Sequence, residues 1–327
     1  MKCVKTQDAV GHVLCHDITQ IIKDVKKGTA FRKGHIVTEE DIPVLLSLGK
    51  DNLYIWEKKE GILHENEAAE YLRDICINEN MSQSEVKEGK IEIIAEIDGL
   101  LKINVESLRA VNSLGEMMIA TRHTNTTVKK GDKLAGTRII PLLIEQEKME
   151  KAKEVAGNSP ILSLMPFKKK KVGIVTTGNE VFYGRIKDTF GPVVAEKVKE
   201  FGADVIGQTI VNDDMEKIAK ATESFIEQGA DMVLCTGGMS VDPDDKTPGA
   251  IKSTGARIVS YGAPVLPGAM MLLAYYKKDE KEIPIVGLPG CVMYSKRTVF
   301  DLVLPRLMAD DMVTSDDLAG LGLGGLC

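Results

Sequence analysis

The sequence predicts an α/β protein: a C-terminal, mostly parallel sheet with helices on both faces, preceded by a small α+β unit and a β-rich domain. Three observations in the 327-residue chain lead there. From Val172 onward, short apolar runs alternate with helical patterns, as strand–helix–strand units do. From Lys90 the apolar period is two, which suits half-buried strands. Ahead of that, capped helical spacings mix with a short strand.

Residues 1–82 make up the expected α+β unit. Thr38-Glu39-Glu40-Asp41 offers an N-cap, Ile42, Leu45 and Leu46 an apolar face, and Gly49 a stop. Residues 53–56, ending at Trp56, read as a strand, and residues 67–78 carry a packing stripe of Ala68, Leu72, Ile75 and Cys76.

Residues 83–157 form the expected β-rich domain with a trailing helix. Ile91, Ile93, Ala95 and Ile97 alternate with polar residues, and Asp98-Gly99 signals a hairpin into Leu101, Ile103 and Val105. Strands follow at 117–121, 126–128 and 138–144, with Gly131-Asp132 as a turn, and then a helix over 145–156 that Gly157-Asn158-Ser159-Pro160 ends.

Residues 158–327 form the α/β domain. Its strands are expected at 172–176, 204–210, 232–235, 257–259 and 283–287. Helix faces are written by Val194, Val198 and Phe201 with Gly202 as a stop, and by Met215, Ile218, Ala219, Thr222, Phe225 and Ile226; a further helix-like run covers 292–304. Such sheets bind ligands at the carboxyl ends of their strands.

A formal charge of -6 argues against general nucleic-acid binding, which needs a basic face. No apolar stretch approaches the roughly 20 residues that cross a bilayer, and no signal peptide begins the sequence. A cytoplasmic protein without membrane contact is expected. The cysteines at 3, 15, 76, 235, 291 and 327 form no C-x-x-C pair and read as reduced thiols, Cys235 buried in a strand and Cys291 in a turn that could face a pocket. His12, His16, His35, His64 and His123 all precede the α/β domain, which disfavours a histidine-based hydrolase or a histidine-ligated zinc site there.

Four strand ends in the α/β domain are rich in turn residues: Thr176-Thr177-Gly178-Asn179-Glu180, Val211-Asn212-Asp213-Asp214, the stretch from Thr236-Gly237-Gly238-Met239-Ser240 to Asp242, Asp244 and Asp245, and Leu288-Pro289-Gly290-Cys291. A parallel sheet puts such loops on one edge, where glycine N–H groups can cradle an anion and carboxylates can recruit the hard cation that the anion brings. Each piece also has a plain explanation. Paired glycines make tight turns, acidic loops are usually solvated, and Thr247-Pro248 is an ordinary N-cap and first helical turn. Lys168 to Lys171 reads as a solvated linker.

Taken in order, Thr177-Gly178-Asn179-Glu180, Asp188, Asp213, Thr236-Gly237-Gly238-Met239-Ser240, Asp245-x-Thr247-Pro248 and Leu288-Pro289-Gly290 resemble the molybdopterin-binding domain shared by molybdopterin adenylyltransferase and molybdopterin molybdenumtransferase. Ala9 to Leu14 and Gly34 to Gly49 are similar to pieces of the molybdenumtransferase. The resemblance implies molybdopterin as ligand or substrate, Mg²⁺, and ATP or AMP. It implies adenylyl or molybdenum transfer, with Asp213 and Asp245 as catalytic and metal-binding residues. Thr177, Gly178, Asn179, Glu180, Asp188, Thr236, Gly237, Gly238, Met239, Ser240, Pro289 and Gly290 would hold the cofactor. A homo-oligomer and delivery to a molybdoenzyme are also implied. The chain departs from the family at Asn179, where the molybdenumtransferase usually has Asp, at Met239-Ser240, where the adenylyltransferase usually has Thr-Gly, and at Cys291-Val292, where Asn-Pro is usual. A non-catalytic carrier of the cofactor and a nucleotide pyrophosphatase are the alternative functions. The resemblance further implies that chains of this type continue beyond the position of Cys327 into more cysteines.

Overall fold

The computed structural model describes residues 2–22, 26–55, 60–240 and 242–326. Trp56 and Cys327, which figure in the sequence reading, lie outside the described residues. The chain divides into two compact units, residues 1–97 with 101–164, and residues 98–100 with 165–327. Among the described residues, no helix is long and apolar enough to cross a membrane.

In the first unit, Lys2–Lys5 pairs antiparallel with Asn52–Ile55. A four-stranded sheet runs in the order Met81–Gln83, Lys90–Ala95, Lys133–Ile139, Met117–Thr121. The helix Glu65–Cys76 buries Ala68, Ala69, Leu72 and Cys76 in one cluster with Ile91, Ile93, Leu134 and Ile139. The two periods in the sequence thus meet in one core.

Several local expectations are corrected. Lys90–Ala95 and Gly99–Ile103 lie in different sheets, so Asp98-Gly99 carries the chain between sheets instead of closing a hairpin. Val105 opens the helix Val105–Asn112, because the Asn104 side chain accepts the Ser107 N–H and caps it. The strand expected at 138–144 is two, Lys133–Ile139 and Leu143–Glu145. Thr38 does not cap its helix; its N–H and hydroxyl both donate to Asp41, and the helix runs Asp41–Ser47.

The second unit carries the six-stranded sheet. Its strands are β1 (Lys171–Thr177), β2 (Asp204–Val211), β3 (Met232–Thr236), β4 (Arg257–Tyr261), β5 (Leu272–Lys278) and β6 (Lys281–Leu288), in the spatial order β2-β1-β3-β6-β5-β4. β2, β1, β3 and β6 are mutually parallel, and β5 runs antiparallel to both β6 and β4. The sequence reading missed β5.

Period two sorts the side chains cleanly. Val172, Ile174, Met232, Leu234, Val286, Leu288, Leu273 and Tyr275 belong to one cluster. That face is covered by Val194 and Val198 of α1 (Phe190–Lys199) and by Phe300, Val303 and Leu304 of α4 (Val299–Met308). The alternate residues Val175, Val233, Cys235, Leu272, Ala274 and Ile285 meet Ile218, Phe225 and Ile226 of α2 (Met215–Glu227) and Ala250 and Ile251 of α3 (Thr247–Ser253). This is the expected sheet with helices on both faces. Gly173 and Gly207 let α2 approach, since a Cβ on Gly173 would stand 2.4 Å from the Phe225 ring.

Two further expectations change. The helix-like run over 292–304 is a 3-10 turn, Gly290–Met293, followed by α4, which a Thr298–Asp301 capping box starts. Lys170 is buried rather than solvated and pairs with Asp310.

Candidate functional site

Strand register places the four turn-rich segments on one rim. Thr177 lies opposite Val211, Thr176 opposite Thr236, and Thr236 opposite Leu288. The row continues through Gly287, Leu272 and Tyr261 on β4. Every chain reversal following these parallel strands therefore leaves the sheet in the same direction.

Hydroxyl groups knit the rim from within. Thr236 donates to Thr176 Oγ1 over 3.2 Å, and Gln208 of β2 donates to the same oxygen over 2.8 Å. Thr247 donates to the Gly237 carbonyl over 2.8 Å, which leaves its oxygen to accept from Thr177 at 3.2 Å. Thr176, Thr177, Thr236 and Thr247 are all buried. Satisfying these polar groups internally keeps their burial cheap and makes the Thr177 and Thr236 side chains fasteners of the rim. Thr247 is the first residue of α3, with Lys246 rather than Thr247 at the cap position.

The paired glycines are shaped by this packing. Gly237 has φ 89, and a Cβ there would stand 2.3 Å from the Thr177 carbonyl oxygen. Gly238 has φ 56, and its Cβ would meet Thr247 Oγ1 at 2.9 Å. The tight-turn explanation is thus sufficient for both. Gly290 differs: it is exposed, lacks a positive φ, and has nothing within 4 Å of a built Cβ.

Met239 is buried, its thioether filling the space over Gly287, so only its backbone is available to a ligand. Ser240 is exposed. Tyr261, which the sequence reading overlooked, donates its hydroxyl to the carbonyls of Met239 at 2.9 Å and Ser240 at 3.2 Å. A tyrosine at the end of an edge strand carries no local sign of this role. Gln208 was overlooked for the same reason.

Asp188 is held by the protein's own donors. Its carboxylate accepts from the Phe190 and Gly191 N–H groups and from Gln208 at 2.5 Å. The two aspartates after β2 divide their work. Asp214 caps α2 through the Glu216 and Lys217 N–H groups, while Asp213 accepts the Asn179 N–H at 2.9 Å. Burial raises the Asp213 pKa above the ordinary value, as do the charges of Glu180, Asp244 and Asp245, against the lowering effect of the Asn179 bond. Asp245 closes its own turn by accepting the Asp242 N–H at 3.0 Å, and its charge also helps to raise the Tyr261 pKa, after burial.

Asp213, Glu180, Asp244 and Asp245 therefore share one electrostatic neighbourhood. Among the described residues, no group of three or more His, Cys, Asp or Glu side chains could hold a metal ion by itself. Pro289 is buried, and burial pushes the Cys291 thiol up, which keeps it protonated and a poor nucleophile. Cys235 is fully buried, its thiol pushed up to about 12.

Comparison with known proteins bears on this rim. Residues 173–309 match the family model described as "Probable molybdopterin binding domain", and residues 3–57 match a domain of unknown function. The chain is 27% identical over 182 residues to a molybdopterin molybdenumtransferase of Synechococcus elongatus, covering 53% of this chain and 42% of that one. It is 36% identical over 77 residues to a CinA-like protein of Mycobacterium tuberculosis, covering 24% and 18%. The chain thus spans less than half the length of these curated relatives. Among solved structures, the tungsten cofactor synthesizing protein MoaB of Pyrococcus furiosus aligns with a TM-score of 0.34 and 23% identity, over 43% of this chain and 89% of that one. The C-terminal unit contains a molybdopterin-binding domain of the molybdenum-cofactor biosynthesis type.

Proposed function

We propose that the rim of β1, β2, β3 and β6 binds a phosphorylated pterin and that the chain acts in adenylyl or molybdenum transfer to it, with Mg²⁺ and a nucleotide. The observation that carries this reading is the carboxylate neighbourhood around Asp213, which shares one rim with the exposed turn residues Ser240 and Gly290. Carboxylates whose charges raise the pKa of the neighbouring Asp213 also repel an anion unless a cation stands between them.

The donor set fits magnesium, which takes one or two carboxylates and completes its shell with phosphate oxygens and water. Asp213 and Asp245 would be those two ligands, and bound Mg²⁺ would neutralise charge on the phosphoryl oxygens. The chain's own residues would orient the substrate. Gly238 to Ser240 would offer backbone donors, and the open ground above Gly290 would leave room for the pterin.

The test is incubation of the full chain with molybdopterin and Mg·ATP, followed by mass spectrometry of the pterin product. Adenylated pterin is expected, and Asp245→Asn should abolish it while leaving pterin binding largely intact. Full activity of the variant would remove Asp245 from the chemistry. Tight pterin binding without turnover would instead make the protein a carrier, and nucleotide hydrolysis without pterin would make it a pyrophosphatase.

A further inference from the structure

The rim extends past β4. The chain leaving Tyr261 returns to β5 through the loop 262–271, which the Gly262 N–H closes by donating to the Met271 carbonyl at 2.8 Å, and the Ala263 N–H by donating to Ala269 at 2.9 Å. Because Tyr261 and Leu272 lie on the rim row, this loop stands at the same end of the sheet as the glycine turn. Ala263 and Val265 are buried in the core cluster, while Leu266 between the loop's two arms is 59% exposed.

Two segments hold the loop. From α4, the Val299 N–H donates to the Pro267 carbonyl at 3.2 Å, and Val299 packs so closely that a Cβ on Gly268 would stand 2.6 Å from it. The other is the stretch 321–326, which follows α5 (Ser315–Gly320). α5 is anchored by Leu318, buried in the cluster that holds Phe300, and by Asp317, which pairs with Arg306 at 3.0 Å. Beyond it, the Leu266 N–H donates to the Gly325 carbonyl at 2.7 Å, and Leu266 and Leu326 form an isolated parallel bridge. Gly325 is buried although Gly324 and Leu326 are exposed. A Cβ on Gly325 would stand 2.3 Å from the Pro264 carbonyl oxygen and 2.6 Å from that of Leu321. Its φ is not positive, so close packing and not backbone conformation calls for glycine there.

We propose that residues 321–326 form a strap that sets the affinity of the rim for its phosphorylated ligand, a regulation that rests on the rim being a pterin site. Seated, the strap fixes Pro264 and Leu266, and their loop fixes the end of β4. The Tyr261 hydroxyl there holds the Met239 and Ser240 carbonyls. The turn that these carbonyls belong to includes Asp245 and is closed by the Thr247 N–H, which donates to the Gly238 carbonyl at 3.3 Å. Unseated, the loop keeps its bond to α4 but loses the one to Gly325, and the freedom that Tyr261 gains passes to the turn.

Little opposes unseating. Leu323 and Leu326 are 97% and 85% exposed, and a segment with so little buried apolar surface belongs to the low-stability end of a fold. The effect on the site is bounded, because the strap reaches the turn only through Tyr261. Loss of the strap therefore lowers affinity by no more than loss of the Tyr261 hydroxyl does. A strap variant that leaves about a third of the molecules with the turn in its binding shape raises Kd about threefold.

Gly325→Val in the full chain drives the stretch off Pro264. Hydrogen exchange read by mass spectrometry should then quicken over residues 263–271 and over 237–247, while the amides of β1 keep the parent's rate. In a Tyr261→Phe background the same substitution should still quicken 263–271 but add nothing at 237–247, since coupled residues are not additive. Molybdopterin affinity in the presence of Mg²⁺, by calorimetry, should fall about threefold in Gly325→Val and no further when that change is added to Tyr261→Phe. Deletion of residues 322–327 should reproduce each result. Exchange over 237–247 that stays at the parent's rate, or that quickens equally in the Tyr261→Phe background, overturns the strap, as does an affinity that Gly325→Val leaves unchanged. A parent chain that binds no molybdopterin overturns the pterin reading of the rim, and the exchange rates then decide the strap on their own.

Discussion

The Asn179 backbone N–H donates to the Asp213 carboxylate at 2.9 Å, joining the loop after β1 to the loop after β2. Asp213 therefore has two separable properties, an acceptor oxygen and a charge. Asp213→Asn keeps the oxygen and should hold the melting temperature within about 2 °C of the parent, because a neutral hydrogen bond replaces a charged one. The same variant should lose Mg²⁺-dependent adenylation of the pterin, read by mass spectrometry of the product. Asp213→Ala should lose both, the fold weakening by about 1 kcal/mol. Retained Mg²⁺ dependence in Asp213→Asn would count against Asp213 as a ligand.

The glycines of the rim separate by role. Gly237→Ala must place a Cβ 2.3 Å from the Thr177 carbonyl oxygen at φ 89. A loss of about 1–3 kcal/mol of stability is expected from backbone strain alone. Gly290→Ala meets nothing within 4 Å and should leave urea unfolding unchanged. If the open ground above Gly290 belongs to the pterin, its methyl group should nonetheless weaken pterin binding. Unchanged affinity in Gly290→Ala would move the pterin away from this turn.

The expected parallel strands were legible because they are buried on both faces: β1, β3 and β6 are nearly continuous apolar runs bounded by turn residues. The gathering of four loops on one edge followed from that alone. β5 was missed although Leu272, Leu273, Ala274 and Tyr275 are buried, since a strand after an edge turn and a helix segment share such a run. Asp98-Gly99 misled because a turn signal says that the chain reverses, not which strand it will pair with. Lys170 misled because its partner Asp310 is 140 residues away. Within the candidate site, short spacings revealed the glycine turn and the acidic loop. The bonds from Tyr261 and Gln208 depend on strand order, which no local pattern encodes.

Tyr261 is the test of that hidden layer. Tyr261→Phe deletes the donor that reaches both the Met239 and Ser240 carbonyls while keeping the ring. One lost hydrogen bond at a partly exposed site should lower stability by only about 1 kcal/mol. If the bond holds the turn in its binding shape, pterin affinity should fall further than stability does, by about tenfold. Calorimetry beside thermal unfolding separates the two, and an unaltered affinity would make Tyr261 a packing residue only.

Acid should expose a second ion-pair centre, remote from the candidate site in its chemistry. Arg306, with a side chain only 6% exposed, pairs with Asp311 at 2.5 Å and Asp317 at 3.0 Å. Burial alone would raise the Asp317 pKa, but hydrogen bonds from Arg306 and Thr314 outweigh it and bring the value from 3.8 to about 2. A carboxylate whose folded pKa is depressed contributes stability that is present above its unfolded value and is lost as pH falls through its folded value. Asp317→Asn should therefore melt below the parent at pH 7, by about 2–4 °C for roughly 1 kcal/mol once the partial exposure of Asp317 is discounted. Between 3.8 and about 2 the two melting curves should converge as the parent loses the charge that the variant lacks. A gap that persists at pH 2 would assign the loss to the helix cap that Asp317 shares with Thr314, and not to its pairing with Arg306.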